Sequence, residues 1–476
     1  MDQNASNSLL TLDNFPPSSA KLVQPLMGHF PEIAFPRDRI SDDMQNAASS
    51  KLLPVTETLA KRVINAYMER GLLEGLLVAQ QSEYLVVSAV ARKLLSFGNW
   101  IGAFWPSGPS ETAMNLFVKH SQTRNWSQSV IRSLAFHPRI FKLAVATVND
   151  TICIYTLDAE VTPILKSDQQ ESITCLAWRP NSAGELAVGC ETGVLLWTVD
   201  PTSQFSRPLI PPIALRHSGN KHSPVSSISW SDNGNLLLTA SISDSRVYVW
   251  SPDYHRYEEL HRFNRPCALV GFGPTGAQLI VSTIGQQFYI GSLQGRYMHT
   301  CWQIRRGSIQ SLVWSQNEHH LLYVTTEDQE LFHIQFDVTK PGNNGKVCAL
   351  VDLKRTKTDD GLIIGGNPQS IAWCKRNMVL AIAFKDTAVI TVFFTQIERQ
   401  QFSINPYCLI TGVGLSYPSC MVFQENYADQ QGKPAQSVLT VGWSSGTISY
   451  YQMKGHSVEY KVLRHSTPLL VNNSLN

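Results

Sequence analysis

His222-Ser223-Pro224-Val225-Ser226-Ser227-Ile228-Ser229-Trp230-Ser231-Asp232-Asn233-Gly234, then Leu236-Leu237-Leu238, then Val247-Tyr248-Val249-Trp250, is the stretch that decides the fold. It holds three short apolar runs. The first ends in an aromatic, a turn of Asp, Asn and Gly follows, and the last run closes on a second aromatic. Runs this short, rich in β-branched residues and broken by Gly and Pro, are strands rather than helices.

The unit recurs on both sides. Residues 129–157 carry Leu134-Ala135-Phe136-His137-Pro138, Leu143-Ala144-Val145-Ala146 and Ile152-Cys153-Ile154-Tyr155. Residues 172–199 carry Leu176-Ala177-Trp178-Arg179-Pro180, Leu186-Ala187-Val188 and Val194-Leu195-Leu196-Trp197. Further units open on Val270-Gly271-Phe272, Leu312-Val313-Trp314 and Ile371-Ala372-Trp373. The seventh, at 418–453, is the most degenerate, with Met421-Val422-Phe423. Phe136 to Trp178, Trp230 to Phe272 and Phe272 to Trp314 are each separated by 42 residues. The gaps of 52, 59 and 50 residues elsewhere are one unit plus an inserted loop. A period near 40–45 residues with several strands per unit is the signature of a propeller. The predicted fold is therefore all-β, a seven-bladed WD40-type β-propeller over residues 121–453, with an N-terminal helical segment.

The best-formed unit also proposes what pins it. In WD repeats a His, a Ser or Thr, an Asp and a Trp form a buried hydrogen-bonded set. Here that set is His222, Ser241 (or Thr239), Asp244 and Trp250. Buried polar groups must be paired, so the expected role is structural rather than catalytic. No unit contains the Trp-Asp dipeptide itself.

Outside the repeats, residues 1–50 are polar and Pro-rich and read as extended. Ser8-Leu9-Leu10-Thr11-Leu12 alternates, and is expected to add the outer strand of the degenerate seventh unit and so close the ring. Residues 51–120 read as helical. Leu59, Val63, Ile64 and Tyr67 share one face of a helix over 56–70, and Val86, Val90, Leu94 and Phe97 recur at helical spacing. Trp100, Phe104 and Trp105 follow as an aromatic cluster that either packs on the propeller flank or docks on a partner. Residues 454–476 are a short tail.

Composition excludes several functions. Lys+Arg is 39 against Asp+Glu 37, which asks for neither nucleic acid nor an acidic membrane. The 9 cysteines contain no CxxC pair, as expected of reduced structural thiols. No secretory signal is expected from the polar first residues. The most apolar window, 85–105, holds Arg92 and Lys93 at its middle, so no transmembrane span is expected.

No HExxH, Walker A, GxSxG or kinase motif is present, and neither cofactor nor metal is expected. A GxGxxG string at Gly271, Gly273 and Gly276 is interrupted by Pro274 and followed by a strand, so it reads as a turn and not a dinucleotide site. His319-His320 reads as a solvated pair, and Asp359-Asp360-Gly361 as a solvated loop.

Several long strings are more specific than propeller spacing. Asn125-Trp126-Ser127, Leu134-Ala135-Phe136-His137-Pro138 with Lys142-Leu143-Ala144-Val145-Ala146, and Leu195-Leu196-Trp197-Thr198-Val199-Asp200-Pro201-Thr202-Ser203 with Arg207-Pro208 resemble the aladin family of WD-repeat nucleoporins. His222-Ser223-Pro224-Val225 and Val441-Gly442-Trp443-Ser444-Ser445-Gly446 extend the likeness. The resemblance runs from about residue 50 to 453. One departure is the tail, where vertebrate members carry a longer Pro-rich one. The resemblance implies a non-enzymatic scaffold of the nuclear pore complex, held at the cytoplasmic side of the nuclear envelope by a transmembrane nucleoporin. It further implies contact with other nucleoporins, import factors or protein cargo, and an added role at the mitotic spindle. Two alternatives stand beside it. A ubiquitin-ligase substrate receptor would carry Trp-Asp-x-Arg, which is absent, and a propeller enzyme would need paired carboxylates at strand starts.

Overall fold

The aromatics that set the period each lie at or one residue before the end of the innermost strand of a blade. In the computed structural model these strands are Ile131–Phe136, Cys175–Trp178, Val225–Trp230, Cys267–Phe272, Ile309–Trp314, Pro368–Cys374 and Pro418–Gln424. Each pairs antiparallel with the next strand in sequence, which pairs with a third. The result is a seven-bladed propeller, numbered here blade 1 to blade 7 in chain order. The structure describes residues 129–453 apart from short connecting segments (the longest being 200–207, 216–221, 294–298, 337–344 and 425–436), together with residues 9–15, Ile33 and Arg124. The helical segment expected over 51–120, with its aromatic cluster, lies outside the described residues.

Burial explains the second strand of each blade. Lys142–Thr147, Leu237–Ser241, Leu279–Thr283, His320–Thr325 and Val379–Phe384 are buried at every position. A strand covered on both faces reads as a continuous apolar run rather than an alternating one. Neighbouring blades share their cores. Trp178 and Trp197 of blade 2 pack with Ala144 and Ile154 of blade 1, and Phe288 of blade 4 packs with Trp314 and Tyr323 of blade 5.

Hydrogen bonds stitch the blades together. Trp178 Nε1 donates to Ala135 O at 3.0 Å, and Trp230 Nε1 donates to Ala177 O at 3.1 Å. Arg179 of blade 2 grips blade 3 through Asp253, at 2.8 and 2.5 Å, and through Gly234 O at 2.7 Å. The Gly271–Gly276 string is the turn between the first two strands of blade 4, and Gly276 has φ +71°. A Cβ at Gly273 would lie 2.2 Å from Glu318 Oε1 of blade 5, whose carboxylate accepts from Thr275 N at 2.8 Å. Gly273 thus serves blade docking, and Gly276 the turn.

The ring closes differently from the sequence-based expectation. Leu10–Thr11 does not join blade 7. It pairs parallel with Gly345–Asp352, the outer strand of blade 5, with Leu10 opposite Val351, and gives that sheet five strands. Blade 7 has three strands among the described residues. Its outer edge is met instead by Ile33, whose carbonyl accepts from Ile448 N at 3.0 Å. Ile33 is buried with Ile131, Leu143 and Val145 of blade 1 and with Val438 and Tyr450 of blade 7. The physical reason for the difference lies in Leu12 and Phe15. They are buried among blades 5 and 6, with Phe15 edge-on to Phe393 at 5.0 Å, and this seat fixes the segment before them on blade 5.

Candidate binding surface

The upper face is formed by the turns between second and third strands and by the linkers into the innermost strands. The pinning set of blade 3 lies just beneath it. His222 Nε2 meets Thr239 Oγ1 at 2.9 Å, and Trp250 Nε1 donates to the same oxygen at 2.9 Å. His222 Nδ1 lies 3.3 Å from Asp244 Oδ2. Indole N–H can only donate, so the Thr239 oxygen accepts from Trp250 and its hydroxyl proton goes to His222 Nε2. The histidine then donates from Nδ1 to Asp244, and every member is satisfied in one direction. Asp244 O also accepts from Cys267 N of blade 4 at 2.9 Å, so the set reaches the next blade.

Thr239, and not Ser241, is thus the hydroxyl of the set. Thr239 lies opposite Tyr248, which puts Trp250 on its diagonal, within reach of an indole. Ser241 is two residues further along and donates instead to Pro224 O at 2.8 Å. The four side chains bond to one another, and Asp244 Oδ1 also accepts from Arg246 N at 3.1 Å, as a structural role requires.

A second buried group departs from its sequence reading. His320 is not solvated. It is 1% exposed, and its Nδ1 lies 3.0 Å from His333 Nε2. Phe402, from the long outer hairpin of blade 6, stacks on His333 at 4.8 Å. Burial, and then the neighbouring His320, pull the His333 pKa down to about 3. Burial followed by His319 lowers that of His320 as well. In the unfolded chain a histidine takes its proton near pH 6.5. The folded chain therefore binds fewer protons below that pH, and the stability from this pair is full above about 6.5 and lost as pH falls toward 3. The expected loss for His333 approaches about 1.4 kcal/mol for each pH unit below 6.5. Melting temperatures measured from pH 7 to pH 5 should fall less steeply in His333→Leu than in the parent, and parallel slopes would contradict this.

The described residues offer little to covalent or metal chemistry. Burial pushes the Cys175 thiol up to about 11 and that of Cys420 up to about 12, so neither is an activated nucleophile. Among the described residues no group of three His, Cys, Asp or Glu side chains could hold a metal ion. Asp359 and Asp360 are exposed in the turn of a short hairpin, Thr356–Lys357 with Ile363–Ile364. No helix among the described residues is long and apolar enough to cross a membrane.

What the upper face does offer is a cavity of about 830 Å³ where blades 4 and 5 meet the central channel. Its walls include Arg265 and Gln286 of blade 4, Ser308 and Gln310 of blade 5, and Arg124. The carbonyl of Arg124 accepts from Gln369 Nε2 of blade 6 at 2.6 Å, so the residue is held from across the ring. Sequence reasoning missed this site, because Arg124 precedes the first recognisable unit and nothing in its neighbours marks it.

Comparison with known proteins supplies the family. A model described as the Aladin seven-bladed propeller matches residues 112–454, the whole ring. The chain belongs to that family. Aladin of Arabidopsis thaliana is 28% identical over 103 residues, 18% of this chain and 23% of that protein. Pre-mRNA-processing factor 19 of Schizosaccharomyces pombe is 29% identical over 204 residues, 41% of this chain and 38% of that protein. The chain therefore spans only 23% and 38% of these two curated relatives. Membership in the Aladin propeller family makes this a nucleoporin-type WD-repeat propeller.

Proposed function

We propose that this Aladin-family propeller is a non-catalytic scaffold of the nuclear pore complex. The observation that carries the reading is the family match across the whole ring, 112–454. The geometry agrees with it. A rigid ring presents loops on two faces and several flanks, which suits holding more than one protein at once. The polar set of blade 3 is satisfied internally, and burial raises the thiols of Cys175 and Cys420, which favours binding over catalysis at these positions.

In this reading the chain sits on the cytoplasmic side of the nuclear envelope, held by a transmembrane nucleoporin. It supports transport of selected protein cargo and acts at the mitotic spindle. Trp100, Phe104 and Trp105 are the proposed anchor, because aromatic side chains bury large areas at low entropy cost.

Imaging of the tagged full chain tests this. The expected result is a punctate nuclear rim, and loss of the rim for Trp100→Ala combined with Trp105→Ala at unchanged abundance. A diffuse signal from the parent chain would overturn the pore assignment. A rim that survives the double substitution would overturn the anchor alone.

A further inference from the structure

We propose that the cavity between blades 4 and 5 binds an acidic peptide segment of a partner protein, with a carboxylate of the peptide taken by Arg124 and Arg265. The inference does not depend on the pore assignment.

Two observations point to an anion. Among the described residues, neither guanidinium donates a hydrogen bond or joins an ion pair, although both line the same cavity. An arginine has five N–H donors in a planar fork that matches a carboxylate. Arg124 lies deep enough in the ring for burial to lower its pKa, yet the residue is only half-buried and so stays open to a ligand. A charge held in such a position attracts a counter-ion more strongly than one in bulk water. The second observation is how Arg265 is seated. A Cβ at Gly285 would lie 2.7 Å from Arg265 Cδ and 3.2 Å from its Nε. The bare glycine backbone makes room for the side chain along the cavity wall.

The remaining walls select a peptide among anions. Gln286 and Gln303 present side-chain amides that both donate and accept, as the backbone of an extended peptide requires. Ile284, 43% exposed at the rim, offers an apolar contact for a neighbouring peptide side chain. The volume of about 830 Å³ falls in the usual range of ligand clefts and is open to solvent at the channel mouth. Glu327 also lines the cavity. Two cations and one carboxylate suit a singly charged group, and disfavour a polyphosphate or a nucleic-acid backbone, which need several cations together.

The test is to pan a phage-displayed random dodecapeptide library on the purified full chain and measure selected peptides by fluorescence anisotropy. The proposal expects enriched peptides that carry Asp or Glu. It expects at least tenfold weaker binding to Arg265→Gln and to Arg124→Gln, and tighter binding to Glu327→Gln. Arg265 is exposed, so its variant folds even if Arg124→Gln does not. Failure to enrich any peptide, enrichment of peptides without acidic residues, or equal binding to Arg265→Gln would each overturn the proposal. Stoichiometric competition by inositol hexakisphosphate would replace it with a polyphosphate site.

Discussion

Thr239→Val is expected to destabilise the protein by about 2–5 kcal/mol, because one substitution removes the partner of two buried groups. Trp250 Nε1 and His222 Nε2 both depend on the Thr239 hydroxyl, and Thr239 is fully buried. Valine has nearly the same shape, so the cost comes from unsatisfied polar atoms rather than from a cavity. Ser241→Ala is the matched control. It gives up the bond to Pro224 O and the contacts with Ser243 N and Oγ, while Ser243 Oγ keeps its bond to Ser223 O, and about 1–2 kcal/mol is expected. Denaturant titration of both variants measures the difference. Equal losses, or a larger one for Ser241→Ala, would place the pinning hydroxyl at the wrong residue.

Removing residues 1–15 is expected to cost about 4 kcal/mol or more, through Leu12 and Phe15. Leu12 is 2% exposed and Phe15 is 8% exposed, and both sit in the cluster shared by blades 5 and 6. Gly365, at φ +81°, leaves the space that Leu12 fills, since a Cβ there would lie 2.6 Å from Leu12 Cδ1. Asp13 accepts from Thr356 Oγ1 at 2.5 Å and ties the segment to the short hairpin after blade 5. The parallel pairing at Leu10 and Thr11 adds little beside the two buried side chains. The melting temperature of the whole ring should fall by several degrees, and Phe15→Ala alone should reproduce much of the fall. An unchanged melt would mean that these residues decorate blade 5 without bracing it.

The pinning hydroxyl and the N-terminal seat differ in how far the sequence made them legible. Phe136, Trp178, Trp230, Phe272, Trp314, Trp373 and Phe423 stand where innermost strands end, so the blade count could be read from their spacing. His222, Asp244 and Trp250 were legible for the same reason, being fixed in register by the unit. The hydroxyl was not, because Thr239 and Ser241 lie two apart and therefore on the same face of one strand. Only the pairing of Thr239 with Tyr248 separates them. The seat of the N-terminal strand was illegible because alternation in Ser8–Leu12 says that a strand forms, and nothing about which edge receives it. His320 was misread because its polar neighbours suggested a turn, whereas it begins the fully buried second strand of blade 5. Arg124 carries no local pattern at all, and only the closed ring brings it to Gln369 and to the cavity.

The central claim is that seven blades form one closed, cooperative ring, with blade 7 docked on blade 1 as firmly as any other pair. Native-state hydrogen exchange on the full chain, read by mass spectrometry, tests it most directly. The second strands Lys142–Thr147 of blade 1, Val379–Phe384 of blade 6 and Ser437–Trp443 of blade 7 should exchange together, and only through global opening. Exchange of Ser437–Trp443 orders of magnitude faster than that of Val379–Phe384 would show an open ring and contradict the account.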